Sequence, residues 1–384
     1  MKGPQLLALL LGLAAIAAVL LVWKTGPGKT GPGPVGENVE EEIHLFVARQ
    51  FGHEPGNLPS LERVSRDRLE EEVARSLEAQ FGSAGLARRA QAYALLHLLP
   101  ESQDLAFQWA AAQASANRGI ATASGTILLA QDFDMAHLGD RGRLARLMAN
   151  QRLGPAGPAP DDRFLAEWAV RGGIAAEIEA RYIAQSGGRM PLPTDAEMDH
   201  EALLLSLPVF THNLMQLPLM EGRDAVRRRL TANEDFEEIL AALPRQTLAL
   251  LAPAALPEPT PAPPERPGLV LAESLGAYST RLLCERLSDQ VEAAAIGPAW
   301  RADRYSFYQD DAGQHICWIS LWADEETAAR VARLLQGRVT PDDPAGRHER
   351  VTHNGVTVIF ANCADEITLD ELLPRPLDSA TTSP

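Results

Sequence analysis

Histidines are the residues whose type and spacing could support metal chemistry in this chain of 384 residues. A zinc-peptidase helix needs two histidines four residues apart, with a glutamate directly after the first of them. Three His-Glu dipeptides occur, beginning at His53, His200 and His348, and none has a second histidine at the required place. The sequence therefore predicts no local zinc-binding pair.

The closest two histidines lie in the stretch HERVTH, at His348 and His353. This stretch runs into Asn354-Gly355 and then into VTVIF, and Asn-Gly between apolar, β-branched runs is the strongest short signal of a β-hairpin. On a strand, residues five positions apart point to opposite faces of the sheet, so the two imidazoles cannot share a metal ion. We predict a hairpin here and not a metal site.

Other reaction classes receive little support from the residues. There is no GxSxG motif of a serine hydrolase. His315 and Cys317 share one face of a predicted strand, which allows a Cys–His nucleophile, although neutral packing of the thiol beside a histidine at the rim is favoured. Glu177 and Glu179 diverge on a predicted helix, so we interpret them as solvated residues and not as an acid/base pair. We predict no catalytic, cofactor-binding or metal-binding residue.

The charge and the cysteine content limit which classes of partner and which cellular compartment the sequence favours. The 35 basic and 51 acidic residues give a formal net charge of −16, and nucleic acid is a poor candidate partner because phosphate binding needs a positive surface. The odd set Cys284, Cys317 and Cys363 is no disulfide framework. Cys317 and Cys363 lie in predicted strands and could pair outside the cytoplasm, but three buried thiols are the favoured interpretation.

The N-terminal segment is apolar enough to cross a membrane. Residues 5–23, QLLALLLGLAAIAAVLLVW, carry no charge and approach the ~30 Å hydrocarbon core at ~1.5 Å of helix per residue. A cleaved signal peptide is the alternative, with Ala15-Ile16-Ala17 as its motif, but cleavage there would leave the apolar VLLVW on the mature chain. We predict an uncleaved transmembrane anchor over 1–23 that contacts the lipid bilayer, followed by a Gly/Pro spacer over 24–37.

A proline-rich segment divides the rest of the chain. PAALPEPTPAPPERPG, residues 253–268, is typical of an extended and semi-rigid interdomain linker. We predict a helical domain over 38–252, an α+β domain over 269–375 and a polar tail over 376–384.

Apolar spacing predicts the elements of the first domain. Ser65 and Asp104 are expected to cap two of its helices, and shorter helices continue to residue 252. The main helices are predicted over 39–51, 66–81, 87–99, 105–117, 141–153 and 161–185, with a short hairpin over 119–131.

The second domain alternates strands and helices. It contains a strand over 269–274, one long helix over 277–295, strands over 303–310 and 315–323, a helix over 325–338 and a final pair of strands. The order β-α-β-β-α-β-β predicts a small antiparallel sheet that helices cover on one face. The predicted fold class is α+β.

Several stretches within residues 60–335 carry a family resemblance. They are VSRDRLEEEVARSLEAQFG, LLPESQDL, GIATASGTILLA, LARLMANQRL, DDRFLAEWAVRGGIAAEIEARYI, EDFEEILAALPRQTLALLAP, LGAYSTRLLCER and WRADRYSFYQDDAGQHICWISLWADEETAARV. In this order they resemble a group of largely uncharacterised bacterial zincin-like proteins, metallopeptidase homologues with a helix reading HELTHALQDQ and a later EGDA string. The resemblance implies a helical zincin-like fold and an extracytoplasmic location.

The zinc ligands of that family are missing at the matching positions. Arg146 and Asn150 stand where the two histidines would, and Leu147 replaces the glutamate. The EGDA string corresponds to Gly172-Gly173-Ile174-Ala175, or begins one residue earlier at Arg171. The resemblance therefore implies the fold of a peptidase without its metal or its hydrolysis.

These observations favour a pseudoenzyme in the bacterial inner membrane. The leading hypothesis is a single-pass, membrane-anchored pseudopeptidase that serves as an envelope scaffold or binds an unknown protein or peptide. The former cleft could bind peptide by shape and main-chain donors, or Leu144, Leu147 and Met148 could fill it as core.

Two alternatives stay open at this point. A metal-dependent hydrolase could use scattered groups such as His200, His212 and nearby acidic residues instead of HExxH. Alternatively, the α+β domain over 269–375 could be the binding part, with the helical domain as its mount.

Overall fold

The computed structural model describes residues 38–100, 103–154, 161–187, 193–339 and 346–373. The predicted anchor over 5–23, the spacer over 24–37 and the tail over 376–384 lie outside these ranges. Within them, no helix is both long and apolar enough to span a bilayer. The described residues from Glu40 onward form one compact unit.

Helices dominate the chain before the proline-rich segment, and all six main helices predicted from the sequence are present. A π-helical turn, Pro218–Gly222, joins the helix Val209–Gln216 to the helix Arg223–Thr231. The helices are α1 (Val39–Gln50), α2 (Arg66–Phe81), α3 (Gly85–Leu95), α4 (Leu105–Asn117), α5 (Leu138–Leu153), α6 (Asp161–Gln185), α7 (Asp195–Ser206), α8 (Val209–Gln216), α9 (Arg223–Thr231), α10 (Phe236–Ala241) and α11 (Leu248–Leu251).

Local side-chain signals set the helix ends. The Ser65 hydroxyl accepts a hydrogen bond from the Arg68 N–H (3.3 Å) at the start of α2, and Asp104 does the same for the Phe107 N–H (2.9 Å) at α4. Both predicted N-caps are therefore confirmed. The predicted end of the third helix at residue 99 is wrong: His97 adopts φ 60 and the helix closes after Leu95.

A three-stranded sheet lies within the helical part. It consists of β1 (Ser60–Val64), β2 (Gly119–Ala121) and β3 (Thr126–Ala130), in the order β1-β3-β2. The predicted hairpin is confirmed as antiparallel β2 and β3. The parallel partner β1 was not predicted, because SLERV is short, mostly exposed and pairs with a strand some sixty residues away.

The five predicted strands and the helical segments after the first and third of them are confirmed after the proline-rich segment, and one further helix follows the last strand. The sheet is antiparallel throughout, in the order β4-β5-β6-β8-β7. Its elements are β4 (Leu269–Glu273), α12 (Gly276–Leu287), α13 (Gln290–Ile296), β5 (Trp300–Asp310), β6 (Gly313–Trp322), α14 (Glu325–Gln336), β7 (His348–Asn354), β8 (Thr357–Cys363) and α15 (Glu366–Leu372).

Two details of this second part differ from the prediction. The single helix over 277–295 is wrong: it breaks at Ser288, and the Asp289 carboxylate starts α13 by accepting a hydrogen bond from the Glu292 N–H (2.8 Å). Coverage of one face is also wrong, because α15 packs Leu369 against Tyr308 on the face opposite to α3 and α12. The sheet is therefore buried on both faces.

The fully buried Asp303 carboxylate ties α12 to the sheet. It accepts hydrogen bonds from the Ser274 hydroxyl (2.6 Å), the Trp318 indole N–H (2.7 Å) and the main-chain N–H groups of Leu275 (2.9 Å) and Gly276 (3.1 Å). Burial raises the pKa of Asp303, and these four donors oppose that rise. The free main-chain N–H groups at the start of α12 are therefore bonded by a side chain of β5 and not by an N-cap residue of the helix itself.

Residues on both sides of 253–268 contact each other directly. Arg89 of α3 pairs with Glu273 of β4. The Thr247 N–H donates to Asp162 of α6 (3.0 Å), and the Thr247 hydroxyl accepts from the Tyr278 N–H of α12 (3.0 Å). The proline-rich segment thus separates two kinds of secondary structure within one compact unit.

Candidate functional site

Helices α5 and α6 carry the positions at which the resemblance places the zinc ligands, and they pack as an antiparallel pair. Arg146 faces Glu179, while Leu153 near the end of α5 accepts a hydrogen bond from Arg171 early in α6. A Cβ at Gly142 would lie 2.8 Å from Ile183, so the helices approach closely at this point.

Arg146, at which the resemblance would place the first ligand histidine, is 9% exposed. Its guanidinium pairs with Glu179 (Nη1–Oε2, 3.1 Å) and donates to the Ala116 carbonyl (2.9 Å). Burial lowers the pKa of Arg146, the Glu179 charge opposes that shift, and Arg143 adds to it. The prediction that Glu179 is solvated is wrong, since it neutralises a buried cation.

A neighbouring group of charges extends this pair towards α7. Arg143 donates to Asp140 (3.2 Å) and to Glu197 (2.5 Å), and Arg118 lies 3.5 Å from Asp140. Burial alone would raise the pKa of Glu197, but the hydrogen bonds that it accepts lower it overall. We call Arg118, Asp140, Arg143, Arg146, Glu179 and Glu197 the buried charge network, in which three arginines balance three carboxylates.

His200 lies on α7 beside this network, and its burial together with the nearby arginines keeps the imidazole neutral. Burial, followed by the positive charges of Arg143, Arg146 and Arg66, lowers the pKa of His200 to about 4. His212, the other scattered histidine of the hydrolase hypothesis, donates through Nδ1 to the Leu204 carbonyl (3.0 Å). In the described ranges, no three or more His, Cys, Asp or Glu side chains lie together as ligands for a metal ion.

Main chain occupies the space beside the EGDA-matched positions of α6. A Cβ at Gly173 would lie 2.4 Å from the carbonyl carbon of Gly222, and one at Gly172 would lie 2.6 Å from Pro218. The π-helical turn therefore packs directly on this glycine pair, which leaves no room for a carboxylate side chain. Ala169 and Gly222 make the reciprocal contact, because a Cβ at Gly222 would lie 2.0 Å from the Ala169 oxygen.

The apolar residues of α5 are buried around the same place. Leu144, Leu147 and Met148 are 0–2% exposed and belong to the core. Leu147, at which the resemblance would place the glutamate, also lies 2.8 Å from the Cβ that Gly119 lacks. The side of α5 that bears these three residues is thus packed as apolar core.

Glu177 is not a solvated residue either, contrary to the prediction. Its carboxylate pairs with Arg181 (3.3 Å), Arg223 (3.1 Å) and Arg227 (2.9 Å). Burial favours the neutral acid, but these hydrogen bonds outweigh burial and lower the pKa of Glu177. Two of the partners belong to α9, which periodicity over α6 alone could not reveal.

The His315–Cys317 pair does not form a nucleophile. His315 is fully buried, not at a rim; its Nε2–H donates to Asp310 (2.9 Å) and its Nδ1 accepts from the Ala364 N–H (3.2 Å), so neither nitrogen is available to the thiol. Burial raises the pKa of Cys317 to about 12. A thiol with such a pKa is not ionised at neutral pH.

The three cysteines are free and buried. Cys317 of β6 stands opposite Ala361, so Cys363 of β8 is displaced from it by two residues. Such diagonal neighbours lie roughly 7–8 Å apart, beyond the ~4.4–6.8 Å between Cα atoms that a disulfide requires. The register therefore favours unpaired thiols.

An open cleft of about 560 Å³ lies between α3, the start of α4 and the sheet. Alanines form its floor, including Ala90 and Ala94. Its rim carries the amides of Gln91, Gln103 and Gln314 and two charged residues, Asp104 and Arg347. Sequence reasoning missed this cleft because its residues come from elements more than two hundred positions apart. Its small floor and amide rim suit an extended peptide better than a reacting group.

Comparison of the chain with protein-family models, curated proteins and solved structures finds no match in any of the three. The resemblance to the zincin-like family therefore stays a prediction.

Substitution of Gly173 by alanine tests the close packing of α6 on the π-helical turn. We expect Gly173→Ala to lower the free energy of unfolding by about 1–3 kcal/mol, because the new methyl group meets main chain that cannot rotate away. Gly337→Ala is the matched control, since its Cβ would make ordinary contacts at 3.5 Å. Urea denaturation measures both, and equal midpoints would contradict the packing.

The depressed pKa of His200 predicts a specific loss of stability in acid. The folded chain binds a proton on this imidazole only near pH 4, whereas the unfolded chain binds it near pH 6.5, so the free energy of unfolding falls as pH falls through that window. We expect His200→Gln to lose less stability than the native chain between pH 7 and pH 5.

The exposed His353 provides the control for this comparison. His353→Gln should keep the full acid sensitivity of the native chain in the same urea titrations. If His200→Gln also kept it, the lowered pKa of His200, which burial and the nearby arginines cause, would be contradicted.

Proposed function

We propose that this chain is a non-catalytic, single-pass membrane protein that serves as a scaffold or binds a peptide segment of a partner in the bacterial envelope. The buried charge network carries the proposal. Residues 5–23 supply the anchor, and the compact unit is placed outside the inner membrane, in line with the family that the sequence resembles.

The electrostatics around α5 explain why zinc hydrolysis is not proposed. A zinc ion needs three uncommitted ligands; here Asp140, Glu179 and Glu197 are each paired with an arginine. A dication would have to displace a guanidinium and leave it unpaired in the interior, which costs several kcal/mol. The neutral His200 alone cannot offset that cost.

The cleft beside α3 is the proposed peptide site. Side-chain amides both donate and accept hydrogen bonds, so Gln91, Gln103 and Gln314 can pair with the main chain of an extended peptide. The floor of Ala90 and Ala94 leaves room for the peptide's side chains. Binding of this kind depends on shape and main-chain groups and requires no ionised residue.

Metal content and peptidase activity of the full-length protein in lipid nanodiscs test the absence of catalysis. We expect less than stoichiometric zinc after purification in zinc-containing buffer, and no chelator-sensitive cleavage of a mixed peptide library. One zinc per chain, removed by chelator together with peptide cleavage, would establish the hydrolase alternative.

Digestion of the compact unit by protease added to spheroplasts tests the proposed sidedness.

Site-specific photo-crosslinking in native membranes tests the cleft. A photoreactive residue at Gln91 should form a defined protein adduct, and the same residue at the exposed His353 should not. Replacing the floor residue Ala94 by tryptophan should fill the cleft and remove the adduct. Adducts of equal yield at both positions, or an adduct that survives Ala94→Trp, would exclude the cleft as the binding site.

A further inference from the structure

The proline-rich segment contacts β5 at every third residue. The Glu258 N–H donates to the Arg301 carbonyl (3.1 Å). Three residues later the Arg304 guanidinium donates to the Pro261 carbonyl (2.5 Å), and after three more the Tyr308 hydroxyl donates to the Pro264 carbonyl (2.8 Å). The segment and β5 therefore run side by side in the same direction.

A period of three residues is the period of the polyproline II helix. Prolines fix φ near −65° and lack an N–H. The carbonyl oxygens of such a helix are free to accept hydrogen bonds, and those of every third residue point to the same side. Arg304 and Tyr308 supply matching donors, and they share one face of β5 because they are four positions apart. Tyr308 is fully buried, and its hydroxyl reaches its acceptor across this contact.

The C-terminal end of the segment is fixed by charge and by a turn. Arg266 pairs with Asp310 (2.6 Å) and with Glu371 of α15. Gly268 adopts φ 81, and its carbonyl accepts from the Gln309 N–H (2.9 Å) before the chain returns as β4. The outer sides of the segment, residues 257–260, 262 and 265, are exposed.

We propose that the face of β5 bearing Arg304 and Tyr308 is a recognition site for polyproline II peptides. Residues 258–266 occupy it as the chain's own ligand, and a proline-rich segment of a partner protein binds by replacing them. This site is distinct from the cleft beside α3 and from the proposed function. Donors to carbonyls spaced three residues apart, around a buried aromatic residue, are the features by which proline-rich peptides are recognised.

Covalent attachment explains why the site is occupied in the native chain. A tethered ligand acts at an effective concentration on the order of millimolar, so a free peptide of similar affinity competes poorly. Replacement of residues 258–264 by a Gly/Ser sequence of equal length should free the site while keeping the connection to β4. A peptide supplied in trans should then bind.

The test is titration of a fluorescent peptide, PEPTPAPPER, into the full-length protein in nanodiscs. We expect saturable 1:1 binding to the Gly/Ser variant, at least tenfold weaker binding to the native chain, and none of a control peptide with its prolines changed to glycine. Tyr308→Phe in the Gly/Ser variant should weaken binding roughly 3–10-fold, because one hydrogen-bond donor is lost. A folded Gly/Ser variant that does not bind the peptide would overturn the proposal.

Hydrogen exchange of the otherwise native chain covers the case in which the Gly/Ser variant does not fold. Tyr308→Phe alone should speed exchange of the amides of the non-proline residues within 258–266, and Tyr182→Phe, a change at a buried tyrosine of α6, should not. Equal exchange rates in Tyr308→Phe and the native chain would overturn the proposal. Dimers formed by exchange of the segment between copies would also overturn it, since the occupant would then be a second copy and not a partner.

Discussion

The buried ion pair between Arg146 and Glu179 is the interaction on which the helical part of the molecule depends. It lies between α5 and α6, where a guanidinium with few water contacts must be neutralised within the protein. The antiparallel packing of the two helices brings the partners together, and Arg143 extends the pairing to α7 through Glu197. Charge balance thus holds three helices in one arrangement and engages the carboxylates of Asp140, Glu179 and Glu197.

The same constraint connects structure to function. A catalytic site needs groups whose protonation or coordination can change, whereas the buried charge network holds its groups in fixed pairs. The glycine pair of α6 adds a steric limit, because main chain of the π-helical turn packs where a ligand side chain would project. Features that could recognise a partner lie elsewhere. The cleft beside α3 offers side-chain amides, and β5 offers donors to the carbonyl groups of an extended segment.

Sequence reasoning predicted what local chemistry determines. The caps at Ser65 and Asp104, the main helices, both hairpins and the five strands along the second part followed from spacing and turn residues. It failed where the structure depends on contacts between distant segments. Examples are the pairing of β1, the partners of Glu177 and the second covered face of the sheet. For the candidate site, the resemblance drew attention to Arg146, but the pairing of Arg146 with Glu179 depends on how α5 and α6 pack and could not be predicted from the sequence.

A double-mutant cycle on Arg146 and Glu179 tests the central claim most directly. Each single change to methionine should lower the free energy of unfolding by about 2–4 kcal/mol, because it leaves one buried charge without its partner. The double variant should be more stable than the sum of the single effects predicts, since it buries no unpaired charge. Additive losses in urea denaturation would contradict the claim that this ion pair closes the space between α5 and α6.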